Sequence, residues 1–204
     1  MATWSSEPKP LVVGIGGTGR PGSTTDMALA TALRGAAEAG ARTRLFDASS
    51  LGVLPLFQPH QTERGEPVLE LLDAVARADG VLLASPSYHG GVSGLVKNAL
   101  DYLEDLRDAP RPYLDGRAVG CVVTAAGWQS AGTTLCALRS IVHALRGWPT
   151  PLGVALNTTE HPLTSTDLDT GRRFETQLLT VGRQVTEFAM AFGGSSETMA
   201  GATR

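Results

Sequence analysis

The sequence is poor in cysteine, aromatic residues and charge: 2 Cys, 5% aromatic and 18% charged residues among 204. Cys121 and Cys136 stand alone, without a CxxC partner, which excludes a disulfide framework and a cysteine-based zinc site. Both read as small core residues. No stretch approaches the ~18 apolar residues of a membrane-spanning helix, and the longest, around Val81–Ala84 and Ala118–Ala126, are strand-sized. Met1–Pro10 is polar and lacks the apolar segment of a signal peptide. A basic excess is missing as well, since the net charge is −3, so nucleic acid and anionic membranes are not expected partners. The expectation is a soluble, cytoplasmic protein.

What is present is hydrophobic pattern and glycine. With 42% hydrophobic residues, 24 Gly and 12 Pro the chain lies below the level of low-complexity sequence, and its length suits one domain. That domain is expected over 10–192, between an extended or disordered tail 1–9 and a flexible tail 193–204. Short apolar runs alternate with helical periodicity. Strands are expected at Leu11–Ile15, Ala41–Phe46, Gly80–Ala84, Arg117–Thr124 and Pro151–Leu156. Helices are expected at Thr24–Glu38, with a stripe of Met27, Ala30, Leu33 and Ala37, and at Val68–Arg77, Leu95–Arg107 and Gly132–Arg146. A last helix carries Phe174, Leu178, Val181, Val185 and Phe188, and Asp47–Gly65 reads as a long loop. Five βα units with near-continuous apolar strands imply an α/β, flavodoxin-like three-layer sandwich: a five-stranded parallel sheet of order 2-1-3-4-5 with helices on both faces. Ligands of such sheets bind beyond the carboxyl ends of the strands, where the strand order reverses. The loops after the first, third and fourth strands are therefore the place to search.

The first of these loops contains Gly14-Ile15-Gly16-Gly17-Thr18-Gly19, which spells GxGxxG. The loop runs on through Arg20-Pro21-Gly22-Ser23, however, and Asp47 follows Gly19 by twenty-eight residues instead of the about twenty of a dinucleotide fingerprint. Gly17–Thr24 has P-loop spacing but places Ser23 where the lysine belongs. The loop concentrates hydroxyls (Thr18, Ser23, Thr24, Thr25), one guanidinium (Arg20) and free N–H groups at a helix amino terminus. That set suits a phosphate monoester dianion. A plain helix cap would need one hydroxyl.

The segment Ser85-Pro86-Ser87-Tyr88-His89-Gly90-Gly91-Val92-Ser93-Gly94-Leu95-Val96-Lys97-Asn98-Ala99-Leu100-Asp101-Tyr102 resembles the P-x-Y-x-x-G-x-x-x-x-L-K-N-x-x-D-W motif of the NAD(P)H-dependent FMN reductases. That flavodoxin-like family includes azo- and quinone reductases. Thr18, Arg20, Ser23 and Thr25 are similar to its phosphate loop, and the resemblance extends over about residues 10–156. It implies FMN as cofactor with NADPH or NADH as donor. Thr18, Arg20, Ser23, Thr24 and Thr25 would hold the phosphate, while Pro86, Ser87, Tyr88, His89, Gly90, Ala126, Gly127 and Trp128 would surround the ring. Two departures stand out: Thr18 replaces the usual Ser, and Tyr102 the usual Trp.

The function so implied is ping-pong hydride transfer from nicotinamide to FMN and on to an acceptor. The flavin carries the chemistry, with His89 and Tyr88 as candidate catalytic residues and no metal. The acceptor is either free flavin serving a partner flavin-dependent monooxygenase or a quinone, azo or other aromatic compound. The alternatives are a flavodoxin-like electron carrier and a non-catalytic FMN-binding protein. Lys97 and Asp101 read as a structural ion pair. The Pro55–His60 segment is expected to reach the pocket. Apolar residues around the third helix (Val92, Leu95, Val96, Ala99, Leu100, Leu103, Leu106) and the resemblance both suggest a homodimer or homotetramer.

Overall fold

The computed structural model describes residues 9–160 and 168–193, the side chains of the second stretch only from 174 to 192. The expected tails lie outside the described residues, Lys9 and the backbone of Gly193 excepted. Four long strands run side by side in parallel: β1 (Leu11–Gly16) lies between β2 (Arg42–Phe46) and β3 (Gly80–Tyr88), and β5 (Ala118–Ala125) follows β3. A two-residue strand, β4 (Gly91–Val92), turns back on β3 as an antiparallel hairpin.

Side-chain alternation on these strands builds two cores, one on each face of the sheet. Val12, Leu82 and Val122 face helices α1 (Thr24–Glu38) and α6 (Leu168–Gly193). Val13, Ile15, Val81, Leu83, Cys121 and Val123 face α3 (Glu66–Arg77), α4 (Gly94–Asp101) and α5 (Trp128–Ala144). Between β2 and α3 lies a short helix, α2 (Ala48–Gly52), whose first turn is capped by the Asp47 carboxylate.

Several expectations need correction. The sheet has seven strands in the order β2-β1-β3-β5-β6, with β4 and β7 attached to the side, instead of five in the order 2-1-3-4-5. The expected fifth strand, Pro151–Leu156, is found as β7 (Val154–Asn157), and a two-residue strand that was not expected, β6 (Trp148–Pro149), precedes it; both pair with β5. Pro151, without an N–H, and Gly153 interrupt the ladder between them. Strand β3 runs four residues beyond Ala84, and α5 begins at Trp128, four before Gly132. Gly132 read as a helix start but lies inside the first turns. The helix expected to Arg107 is α-helical only to Asp101 and continues as a 3-10 helix over Tyr102–Leu106. In α1 the buried stripe is Ala28, Leu29, Ala32, Leu33 and Ala36, rotated from the expected one. Alanines around the whole cylinder make its periodicity ambiguous. Cys121 is buried as expected, whereas Cys136 is exposed on the outer side of α5.

Helices α1 and α6 touch backbone to backbone. A Cβ at Gly182 would stand 1.9 Å from the Ala32 carbonyl oxygen, and one at Gly35 2.3 Å from that of Leu179. This close approach joins the carboxyl-terminal half of α1 to α6. The only charged side chain among the described residues that is fully buried, Arg117, donates to the carbonyls of Ala76, Ala78 and Tyr113 and so closes the end of α3; burial pulls its pKa down to about 10.

Two stability predictions follow from this packing. Gly182→Ala should cost ~1–3 kcal/mol or more in a denaturant titration because α6 must move off α1. Gly132→Ala, where a Cβ meets nothing within 4 Å, should be neutral or stabilising by up to ~1 kcal/mol. Burial also pushes the Cys121 thiol up to about 12 from 9.0. The folded state then keeps a proton that the unfolded state loses, so this contribution is complete below pH 9 and falls as pH rises. Between pH 9 and about 12 the wild type should lose up to ~1.4 kcal/mol per pH unit through this group, a slope that Cys121→Ala removes.

Candidate functional site

The carboxyl ends of β1, β3 and β5 lie level: Gly16 pairs with Ala84, Ala84 with Val122, and Pro86 with Thr124. The three loops that leave these strands therefore open on one edge of the sheet, at its switch point. The Gly17 N–H donates to the Ala84 carbonyl (3.4 Å) and ties the first loop to the second strand of the group.

In the loop after β1, the Thr18 hydroxyl accepts from the Arg20 N–H and donates to the Arg20 carbonyl, both at 3.1 Å. This small turn presents the Arg20 side chain to solvent. Ser23 is the buried N-cap of α1 in a reciprocal capping box: Ser23 Oγ accepts from the Asp26 N–H and Asp26 Oδ2 accepts from the Ser23 N–H. Thr25 is also buried, its hydroxyl 2.6 Å from that of Thr124. Of the four hydroxyls expected around a phosphate, those of Thr18, Ser23 and Thr25 thus have partners within the protein. Thr24 is half-buried in the first turn, where the N–H groups of Thr24 and Thr25 have no intrahelical acceptor. Those N–H groups, Arg20 and the Thr24 hydroxyl form the donor set at this corner, with Thr18 beside them holding the turn.

The loop after β3 is a tight hairpin. Tyr88 pairs with Gly91, and the intervening His89 (φ 53) and Gly90 (φ 77) are both left-handed, as a type I′ turn requires. Glycine suits that turn, while histidine accepts a less populated backbone conformation there. Tyr88 and His89 are exposed at the tip and Pro86 is buried beneath. Ser87 points away from the hairpin tip: its hydroxyl lies 2.5 Å from that of Ser130 and 2.6 Å from that of Thr134, which latches the hairpin to α5.

After β5 only Ala126 and Gly127 precede α5. The Thr158 and Thr159 hydroxyls donate to the carbonyls of Ala125 and Ala126. Trp128, half exposed, donates its indole N–H to Glu160, whose other oxygen accepts from Asn157 (both 2.8 Å). The three loops thus stand on networks in which Thr124, Asp26, Ser130, Thr134, Asn157 and Glu160 take part, none of which the sequence reading singled out. Only Asp26 had a signal, the S-x-x-D spacing of a capping box.

Tyr102 is buried, and its hydroxyl donates to the Pro55 carbonyl (3.0 Å), with the ring edge-on to Phe57. Asn98 grips the same segment, accepting from the Phe57 N–H and donating to the Pro55 carbonyl. Arg64 lies over both rings and forms a two-pronged ion pair with Asp105. The Pro55–Phe57 segment is therefore fastened along α4. The expected Lys97–Asp101 pair is present on the outer face of the same helix. Val96, Ala99, Leu100, Leu103 and Leu106 are consumed by the chain's own core, so their apolarity carries no argument for association.

The glycines of these loops show what the edge can accept. A Cβ at Gly19 or Gly127 would meet nothing within 4 Å, and neither residue has a positive φ. No packing or backbone requirement calls for glycine there; bare backbone facing open space is what it provides. A flat ring or a phosphate can then approach N–H groups directly. The residues present fit an FMN group: anion donors at the α1 corner, bare backbone and exposed Tyr88, His89 and Trp128 around the other two loops. Among the described residues no group of three His, Cys, Asp or Glu is placed to hold a metal ion, and no helix is long and apolar enough to cross a membrane.

A parallel sheet with helices on both faces and ligand-accessible loops at its carboxyl edge defines a flavodoxin-like protein. The fold agrees with an oxidoreductase from Corynebacterium diphtheriae (TM-score 0.76, 16% identity, 90% of this chain and 98% of that one). It agrees also with the NAD(P)H:(acceptor) oxidoreductase FerB from Paracoccus denitrificans (TM-score 0.69, 19% identity, 90% and 98%). Residues 10–161 match the family model of NADPH-dependent FMN reductase, and the chain belongs to that family. Among characterised relatives, an NADPH azoreductase of Bacillus sp. (strain OY1-2) is 42% identical over 60 residues, 29% of this chain and 34% of that protein. An FMN-dependent NADPH-azoreductase of Staphylococcus aureus is 33% identical over 97 residues, 48% of each chain. The matched segments span about a third to a half of those relatives.

A substitution pair tests the geometry. Gly17→Ala forces a Cβ to 2.6 Å from Asp26 Oδ1 and 2.7 Å from the Ala48 amide nitrogen at a φ of +137, and should lower the melting temperature. Gly127→Ala, at an extended φ with open space around it, should melt like wild type yet bind FMN more weakly by flavin fluorescence.

Proposed function

We propose that this chain is an NAD(P)H-dependent FMN oxidoreductase that passes electrons to an aromatic acceptor. The observation that carries the reading is the bare, glycine-lined backbone of three loops brought level at one edge of the sheet, beside an anion-accepting helix terminus. The family match and the names of the azoreductase relatives support it.

When bound, FMN supplies the hydride chemistry between nicotinamide and acceptor. The protein's part is to bind and orient. Arg20, the Thr24 hydroxyl and the first N–H groups of α1 take the phosphate, with Thr18 beside them holding the turn. Ser23 and Thr25 act behind them, Ser23 by capping the helix and Thr25 by joining it to Thr124. The Pro86–Gly90 hairpin and the Ala126–Gly127 turn border the ring, their N–H groups available to its polar edge and to the negative charge of the reduced form. Ser87 serves as the latch that holds the hairpin on α5. Tyr88, His89 and Trp128, exposed around the site, form the wall against which nicotinamide and acceptor alternate in a ping-pong cycle. His89 and Tyr88 are the residues available to hand a proton to the acceptor. Homodimer or homotetramer formation, proposed from the resemblance, would place α4 and the fastened Pro55–His60 segment near the site of a second copy.

Protein reconstituted with FMN should turn yellow and be bleached anaerobically by NADPH or NADH, then recover its colour on addition of an azo dye or quinone. Protein that takes up no FMN contradicts the reading. FMN uptake without bleaching would instead mark a carrier. Recovery with free FMN but not with azo or quinone compounds would assign the chain to supplying a monooxygenase.

A further inference from the structure

The capping box at the start of α1 uses only half of the Asp26 carboxylate. Oδ2 accepts from the Ser23 N–H, while Oδ1 is the one buried side-chain oxygen or nitrogen among the described residues without a hydrogen-bond partner. The side chain is 9% exposed. Oδ1 is aimed into the β1–α1 loop, 2.6 Å from the point where a Gly17 Cβ would sit, and the Ala48 amide nitrogen lies 2.7 Å from that same point. No lysine or arginine pairs with Asp26 among the described residues; Arg20, the guanidinium of the same loop, points to solvent.

A buried carboxylate oxygen without a donor is costly. The α1 amino terminus offsets that cost, because its N–H groups and dipole favour a negative charge in the first turn. These are the same groups that a phosphate would use. Asp26 therefore occupies, with a fixed charge, the electrostatic field into which a dianion has to enter. The ligand gains the helix terminus and Arg20 but must share that terminus with the carboxylate already there. A neutral residue with the same shape would cap the helix without that competition.

We propose that Asp26 is a specificity-determining residue that weakens the grip on the FMN phosphate and keeps the flavin exchangeable. The inference rests on the FMN reading above. It concerns how readily the bound FMN exchanges, with the affinity of the phosphate corner set by one charge. Asp26 is buried in the capping box at the start of α1, so its effect is expected on FMN binding and not on the electron transfer that follows.

The test compares FMN with riboflavin, which lacks the phosphate, in fluorescence titrations of the wild-type protein, Asp26→Asn and Asp26→Glu. Asp26→Asn keeps an oxygen for the Ser23 N–H and removes the charge; Asp26→Glu keeps both the charge and the capping-box pattern. The expected result is about tenfold or more tighter FMN binding by Asp26→Asn, the size of removing one unit charge near a dianion in a half-buried site. Riboflavin affinity should stay the same, and Asp26→Glu should stay near wild type for both. Asp26→Ser, neutral and smaller, serves the same comparison if the amide disturbs the helix cap. Unchanged or weaker FMN binding by the neutral variants overturns the proposal, as does an equal gain for riboflavin, which would mean a loosened loop. Wild-type protein that binds no FMN at all would defeat the cofactor reading itself, a different outcome from a missing Asp26 effect.

Discussion

The in-register parallel pairing of β1, β3 and β5 is the constraint on which the rest of the molecule depends. Parallel strands need helical crossovers, and the crossovers cover both faces, so the strands are apolar on both sides and their carboxyl ends are the places where chain can turn outward without burying unpaired backbone. Because Gly16, Ala84 and Val122 stand abreast, three separate loops are delivered to one edge. Cross-links then fix them to each other: Thr25 to Thr124 between α1 and β5, Ser87 to Ser130 and Thr134 between β3 and α5, and Trp128 to Glu160 beyond β7. The loops are thereby positioned by the scaffold, as a site requires.

Glycine is used in two opposite ways in this chain. Gly35 and Gly182 remove side chains so that α1 and α6 can meet; Gly19 and Gly127 remove them where nothing in the protein lies nearby. The first use is internal packing. The second leaves backbone uncovered at the edge where the three loops meet, and with the donors at the start of α1 it defines a place for a molecule with a phosphate at one end and a flat ring at the other.

Much of this was legible in the sequence because parallel strands and helix stops leave strong local marks. The uninterrupted apolar runs of β1, β3 and β5 and the helical periodicity between them place the main elements. The break between β6 and β7 was hidden because Pro151 and Gly153 fall within an otherwise apolar run. Alanine around α1 concealed which side faces the sheet. The phosphate loop and the Pro86–Gly90 segment were found from residue types and motif spacing, but their supporting partners were not, since Thr25 and Thr124 lie 99 positions apart and meet only through the sheet. What Tyr102 does in place of the family's tryptophan was not legible either, since its hydroxyl reaches the Pro55 carbonyl across 47 positions.

If the three loops form one FMN site, they respond to FMN together. Backbone hydrogen exchange followed residue by residue, with and without FMN, tests it most directly. New protection confined to Thr18–Thr25, Tyr88–Gly90 and Ala126–Trp128, appearing together at one FMN concentration, is the expected result. Protection in only one of these segments, or centred elsewhere on the sheet, would contradict it.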